Sequence, residues 1–434
     1  MAIDVSTQFE VNSNGDYTNG AGFADLDPGT SMDYSQQYAP ELDLNDVAMV
    51  AGGTTITSVT GGFTPAMVGN CININSGTNF VGGFYQITGY NSGNSVEIDR
   101  DATDGSDATV GQSRVGGASE RLNGRLLEAA VGGNTIWVKN DGEIFQGGAN
   151  VAGANGGSAT AYIKVYGYNS TRGDNPTGTD RPTVNCQTKR LEFGDYVGGY
   201  WDVRNIIFDA TGPFGIEFDG HDSHVENCKM IINGGIFSDG IGIYEDGCRV
   251  IDCEVSYISG SGSSEGISFY YYLTEDVQGV IDGCYVEGVS FGLEEDYGGL
   301  AVFDTITNDC YQNHIGQYGY IKNCTFHTTE DYGGALDGIV AYGEWQVVLN
   351  CIFQNLARSY NGAYTAISSQ YHYLDYNDWI DNEEGDLYYD WPFTKGKHAL
   401  AVDPDFVGSD SENFKLNNTS PLINAGMAIR DGVR

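Results

Sequence analysis

The stretch HVENCKMII at 224–232 returns as RVIDCEVSYI, GVIDGCYVEGV, GYIKNCTFHT and VVLNCIFQNL. Each copy sets an Asn or Asp before a cysteine, directly or, in the DGC copy, one residue earlier. The cysteines are Cys228, Cys253, Cys284, Cys324 and Cys351, at spacings of 25, 31, 40 and 27 residues. A second series runs beside them as GIEF, GIGI, GISF, GLAV, GIVA and AISS, with Ile216, Ile241, Ile267, Leu300, Ile339 and Ile367 as first apolar residues. From this series to the cysteine the distance is 12 residues in three copies and longer in the copies at Ile267 and Leu300. Counting on 12 from Ile367 reaches Trp379, with Asp378 in the Asn/Asp place.

Two short alternating segments per repeat cannot each bury a face alone, but stacked coil on coil they can. The expected fold is therefore all-β: a right-handed parallel β-helix in which each coil rises by about 4.8 Å and equal positions form ladders. An Asn or Asp at a sharp turn takes unusual backbone angles, and its copies bond to one another along the stack. Asn205, Asn227, Asp252, Asn323 and Asn350 are expected to form that ladder. The cysteines behind them point inward as small apolar fillers.

In the second series, Ile216/Phe218, Ile241/Ile243, Ile267/Phe269, Leu300/Val302 and Ile339/Ala341 face the core. Alternation turns the next residue outward, giving Asp219, Tyr244, Tyr270, Phe303 and Tyr342. This stripe, edged by Glu245 and Asp304, suits a glycan platform or a patch buried in an oligomer. Ordinary cross-coil pairing would place rings there too. The copies at Ile267 and Leu300 imply insertions of five and twelve residues, the longer containing FDTITNDCYQNHIGQYG. Loops that interrupt a solenoid often carry its binding function.

Composition agrees with strands and tight turns: 62 glycines, 29 tyrosines and only 9 prolines in 434 residues. With 20 Lys and Arg against 59 Asp and Glu, the net charge of −39 argues against nucleic-acid binding. Acid density alone leaves Ca²⁺ open, at no defined site. Nine cysteines without a CxxC argue against both a disulfide scaffold and a zinc site. No run of 18 apolar residues is present, so no membrane insertion is expected, and the first residues lack the organisation of a secretory signal.

Residues 1–117 lack the cysteine ladder and read as a separate β-rich docking or assembly module. The β-helix is expected over 118–400, and 401–434 as a closing segment. SERLNGRLLEAAVGG at 119–133 is the helix candidate, near 119–131, with Ser119 as N-cap, placed to cover the open end of the solenoid.

AAVGGNTIWVKNDGEIFQG and DPDFVGSDSENFKLNNTSPLINAGM resemble the opening and closing coils of right-handed β-helix proteins of the pectate-lyase-like superfamily. The stretches from TQFEVNSNGDYTNGAGF through FVGGFYQITGY look like modules that precede β-helices in phage proteins. The superfamily includes lyases, hydrolases, epimerases, adhesins and phage tailspikes, so it implies fold more than activity. A polygalacturonate hydrolase of this kind would show NTD, DD, GHG and RIK; they are not present as a set. Asp219, Glu245 and Asp304 are the candidate catalytic acids if a site exists. The resemblance and the missing signal imply a structural or attachment protein of a virus particle, a tailspike, fibre or capsid decoration. Its expected partners are other virion proteins, itself (a homotrimer being one form) and a cell-surface glycan, and its expected location is the virion. The alternatives are a polysaccharide lyase or glycoside hydrolase, extracellular if secreted, and a surface adhesin or filament subunit.

Overall fold

The computed structural model describes residues 3–27, 29–146, 151–152, 156–194, 199–212, 215–233, 237–259, 263–270, 277–295, 299–328, 337–356, 358–362, 371–380, 382, 396–408, 413–423 and 425, with backbone alone at some strand positions, Tyr342 among them. Two compact units divide the chain, Met1–Asp209 and Ala210–Arg434. The chain is nearly all β, a right-handed parallel β-helix with a small N-terminal β module; right-handedness is the general rule for crossovers between parallel strands.

In the first unit, six strands close an antiparallel barrel: Leu42–Met49, Thr55–Thr57, Ser95–Ile98, Gly83–Ser92, Cys71–Thr78 and Ala108–Val115. Leu44, Val47, Ile56, Ile72, Ile87 and Val96 fill it. The first coils follow, with Thr135–Lys139 pairing parallel to Ile163–Tyr168 and that strand to Trp201–Arg204. The helix spans Gly124–Ala129 with Leu126 and Leu127 buried. Its N-cap is Asn123, not Ser119: the Asn123 side chain accepts from the Leu126 N–H at 3.1 Å, while Ser119 is spent on the Arg121 carbonyl at 2.9 Å. The edge of Thr135–Lys139 is covered by a strand, Gln8–Val11 in parallel register. Glu10 locks it there, buried and bonded to the Arg172 guanidinium at 2.6 Å and 3.0 Å.

In the second unit each coil contributes a strand to three faces. The first face holds Ile216–Phe218, Phe237–Ile243, Ser263–Phe269, Phe291–Glu295 and the starts of Gln312–Lys322 and Asp337–Leu349. On the second lie His224–Glu226, Arg249–Ile251, Val277–Asp282, Gly299–Phe303, the ends of the same two long strands, and Tyr371–Asp375. The third holds Lys229–Asn233, Glu254–Ser259, Tyr285–Glu287, Ile306–Asn308, Thr325–His327, Ile352–Gln354 and Asp378–Ile380. The hairpin of Phe406–Gly408 and Asn413–Leu416 sets Phe414 against Tyr285 and His327, ring centroids 6.4 Å and 5.0 Å away.

The corner between the second and third faces carries the Asn/Asp ladder. Asn227, Asp252, Gly283, Asp304, Asn323, Asn350 and Tyr376 all have φ between 46° and 67°, and Asn205, in the first unit, has φ 61°. The DGC copy thus puts its glycine, not its Asp, in the left-handed place, where no Cβ opposes it. Asn350 Nδ2 donates to Asn323 Oδ1 at 3.2 Å, and Asn323 Nδ2 to Asp304 Oδ1 at 2.9 Å. The next residue turns inward and donates to the carbonyl two residues back: Cys228 to Glu226, Cys253 to Ile251, Cys284 to Asp282, Cys324 to Lys322 and Cys351 to Leu349, at 3.2–3.5 Å. All nine cysteines are free and buried, and burial pushes the Cys253 and Cys324 thiols well up.

Three expectations of register are corrected. The interval of 40 between Cys284 and Cys324 is two coils, not one with an insertion: Tyr285 pairs with Ile306 and Ile306 with Thr325, which puts Asp304 and Thr305 in the Asn and Cys places. Consequently Leu300 belongs to the second face, and Leu293 pairs with Ile267 on the first. At the far end Cys351 aligns with Asn377, whose Oδ1 accepts from Cys351 N–H at 2.9 Å. Trp379 instead stacks on Phe353 at 4.4 Å, and Phe353 on Phe326 at 5.0 Å. Ile367 lies outside the described residues.

Candidate functional site

The first face departs from strict alternation at a glycine. A Cβ on Gly240 would lie 2.6 Å from Val255 Cγ1, and one on Gly266 2.4 Å from Val286 Cγ1, so both glycines point into the core. Ile241 and Ile267, the next residues, are buried too. Two successive inward positions reverse the phase, and the preceding Asp239 and Glu265 turn outward beside each other. Strict period two, carried back from the isoleucines, would have hidden these acids in the core. The signal that could have found them is the repeated acid-Gly-Ile of SDGIGI and SSEGIS.

On the same face the outward column runs Glu217, Gly242, Ser268 and Glu294 by register. A Cβ on Gly242 would sit 3.3 Å from Asp239 Oδ2 and 3.4 Å from Glu217 Cγ, so this glycine leaves room between the acids. Tyr244 and Tyr270 close the other side, stacked at 4.8 Å with their planes 23° apart. The Tyr270 hydroxyl donates to Glu265 and lies 3.2 Å from Asp239 Oδ1; the Tyr244 hydroxyl lies 3.4 Å from Asp239 Oδ2. Ser268 Oγ donates to Glu265 Oε2 at 2.7 Å.

Electrostatics follow from crowding. Burial, then the charges of Glu265 and Glu217, raise the Asp239 carboxyl to about 7, so it holds a proton where an ordinary Asp has lost it. Burial and then the charges of Asp239 and Glu265 push the Tyr270 phenol far up, which keeps it a donor. The group is an array of acceptors around a pair of rings, with one carboxyl able to donate.

Of the residues expected from sequence, Tyr244 and Tyr270 stand together here. Phe303 does not join them: it lies on the second face, its ring 5.8 Å from Tyr320. The Tyr342 side chain lies outside the described residues. Asp219 is buried, and Glu245, in the adjacent coil, is raised by burial and by Asp246. The Asp219 charge raises Glu245 further, and Asp304 is the left-handed turn residue that accepts from Asn323. Among the described residues no group of three or more His, Cys, Asp or Glu is placed to hold a metal ion, and no helix is long and apolar enough to cross a membrane.

No protein-family model and no curated protein sequence matches the chain. Solved structures similar to it include pectate lyase Pel9A, at 14% identity over 71% of this chain and 86% of that one, with a TM-score of 0.42. The catalytic domain of a GH87 alpha-1,3-glucanase in complex with tetrasaccharides matches at 10% identity over 83% and 90%, TM-score 0.31. The tailspike protein gp49 from Pseudomonas phage LKA1 matches at 12% identity over 75% and 64%, TM-score 0.18. At these scores the likeness assigns neither activity nor ligand.

Proposed function

We propose that this chain is a non-enzymatic structural or attachment protein of a virus particle, working beside other virion proteins, self-associating, and touching a cell-surface glycan through the first face of its solenoid. The observation that carries the glycan contact is the stacked Tyr244–Tyr270 pair set against Asp239, Glu265 and Ser268. Sugar rings present C–H faces that pack on aromatic rings and hydroxyls that donate to carboxylates. The virion role rests on the sequence resemblance of the N-terminal module and on the solenoid that follows it. Its test is mass spectrometry of density-purified particles: fixed stoichiometry with capsid and tail proteins supports the role, and recovery only in the soluble fraction removes it.

A glycoside hydrolase is the second reading, favoured by the raised carboxyl of Asp239. Two-carboxylate hydrolysis needs the groups about 5 Å or more apart, so that the scissile bond fits between them. Asp239 and Glu265 are instead close enough to bond to each other and to share the Tyr270 hydroxyl. Their geometry suits a proton-sharing pair that binds. A glycan array with the native chain and Tyr270→Ala tests the contact, and release of reducing ends from any bound glycan would move the reading to the enzyme.

A further inference from the structure

Four strands of the first unit lie side by side in parallel register, Gln8–Val11, Thr135–Lys139, Ile163–Tyr168 and Trp201–Arg204. Ile136, Val138, Ile163, Val165 and Val203 point inward with no exposure, so the residues that alternate with them turn outward. Register then sets Gln8, Thr135 and Lys164 in one outward column, and Trp137 and Tyr166 in the next. We infer that these two columns form a binding site for a sugar residue that carries a negative charge, built from other residues than the Tyr244–Tyr270 face.

The first column has donors to give, and they are within reach. Gln8 is exposed, and Thr135 and Lys164 are half-buried. Gln8 spends its side-chain oxygen on the Trp137 indole N–H at 2.9 Å and on Arg172 at 3.3 Å. Its own amide N–H groups, the Thr135 hydroxyl and the Lys164 ammonium have no partner among the described residues. Neighbouring strands stand about 4.8 Å apart, so these donors follow one another at intervals close to the width of a pyranose ring.

The second column brings the ring. Trp137 is half-buried, and Tyr166 and Tyr168 meet it edge to face, with centroids 5.7 Å and 6.2 Å away. Arg204 lies over Tyr166, 5.5 Å from its centroid, so Tyr166 braces the indole and Trp137 is the ring left to a ligand. The C–H face of a sugar packs on such a ring while its polar groups reach the donors alongside.

Charge decides the class of sugar. The other cations nearby are committed: Arg172 to Glu10 at 2.6 Å, Lys139 to Asp141 at 3.6 Å and Arg204 to Asp202 at 2.7 Å. Asp202 is next to Lys164 in register, yet its carboxylate is held by Arg204 and by the Tyr166 hydroxyl. Lys164 is left with its charge unanswered. From Lys139 to Arg204 the sequence has seven Lys and Arg and seven Asp and Glu, so the net charge of −39 arises wholly outside this stretch. An anion that the chain as a whole repels meets no net charge here. A carboxylate or a sulfate ester on the sugar would serve equally.

The test is saturation-transfer NMR on the full chain at low salt with methyl glucuronide and the 6-sulfate of methyl glucoside. Methyl glucoside itself and a capped di-glutamate peptide are the counter-probes. At least one charged sugar is expected to saturate, and high salt to weaken it. Saturation by the glucuronide alone names a carboxylate, by the sulfate alone a sulfate ester, and by both the charge without regard to its source; each supports the site. Lys164→Gln is expected to fold, since Lys164 makes no side-chain bond, and to weaken the charged sugar roughly tenfold. Lys189→Gln removes an equal charge elsewhere and should leave binding unchanged, as should Tyr270→Ala. No saturation by either charged sugar, equal saturation by methyl glucoside, unchanged binding in Lys164→Gln, or its loss in Lys189→Gln or Tyr270→Ala would each overturn the proposal. So would saturation by the peptide as strong as by the sugars, which would reassign the two columns to an acidic segment of a partner protein.

Discussion

Neighbouring coils of the second unit solve the same packing problem in different ways. From Ile241 to Val286 the inward positions are filled by Ile241, Ile243, Cys253, Val255, Ile267, Phe269, Cys284 and Val286, all at most 2% exposed. One coil on, the equivalent places hold Leu293, Glu295, Thr305 and Thr307, and the next strand brings Asn313 and His314. The backbone ladder continues in both, so pairing of strands does not require an apolar interior at every rung. What changes is the satisfaction of side chains. Thr307 Oγ1, Asn313 Oδ1 and both ring nitrogens of His314 are buried without hydrogen-bond partners among the described residues. Glu295 Oε2 and His314 Nε2 both approach the place where a Cβ on Gly316 would stand, at 2.8 Å and 2.9 Å. A column that carries Phe269 in the apolar coil thus runs through Glu295 to a glycine in the polar ones. The apolar coils hold the solenoid together, and the polar ones interrupt its core.

Truncation should separate the two kinds most sharply. Phe269→Ala removes a fully buried ring from a column with no slack, and a loss of about 3–5 kcal/mol is expected in urea unfolding. A loss below about 1 kcal/mol would mean that the apolar coils are no better packed than the polar ones. Acid should act on the polar coils next. Burial lowers His314 to about 4 from its ordinary value, so the folded chain binds fewer protons than the unfolded one between these two values. Stability from this group is complete above about pH 6.5 and falls as pH drops toward 4, by up to ~3 kcal/mol. His314→Ile, which restores the residue type of Ile267 and Ile339, should flatten that slope and raise stability at pH 5. Asp239 works with the opposite sign. Its carboxyl is raised, so its share of stability falls as pH rises from about 4 to 7, and Asp239→Asn should gain most at pH 8.

The turn ladder is common to both kinds of coil, and its loss should cost less. Asn323→Ala puts a Cβ without an amide at φ 57° and removes two side-chain bonds, for an expected loss of about 1–3 kcal/mol. Asn323→Gly keeps the backbone angle, as Gly283 does naturally, and should lose less than the alanine. Equal losses would show that the amide bonds, and not the left-handed angle, set the cost.

The apolar coils were legible in the sequence because their rungs repeat a residue type: cysteine after Asn or Asp, and isoleucine after glycine. The polar coil was not, since Thr305 stands for the cysteine, and the nearest apolar run, GLAV, belongs to another face. A search for isoleucine therefore passed over Leu293 and His314 and took one full coil for an insertion. The acids of the candidate site were hidden by the same trust in period. Gly240 and Gly266 spend two successive inward positions, and period two counted through them gives Asp239 and Glu265 the wrong face. Tyr244 and Tyr270 follow their isoleucines after the phase is restored, and their rings stack on one another.

The smallest expected effect bears on why Thr305 escaped that search. Its Oγ1 donates to the Phe303 carbonyl at 2.8 Å, the carbonyl two residues back, as every ladder cysteine does through its thiol. The left-handed residue between them turns that carbonyl toward the side chain, so the rung needs a small inward group with one hydrogen to give. Serine, threonine and cysteine meet that need; alanine and valine do not. Thr305→Cys should then change stability by no more than about 1 kcal/mol, because it exchanges one donor for another and loses the oxygen that accepts from Cys284 N–H at 3.3 Å. Thr305→Val, nearly the same shape without a donor, should cost more than the cysteine although it is the more apolar. If valine proves the better replacement, the cysteines stand in their ladder for size alone, and the shared carbonyl contact follows from the backbone without selecting the residue.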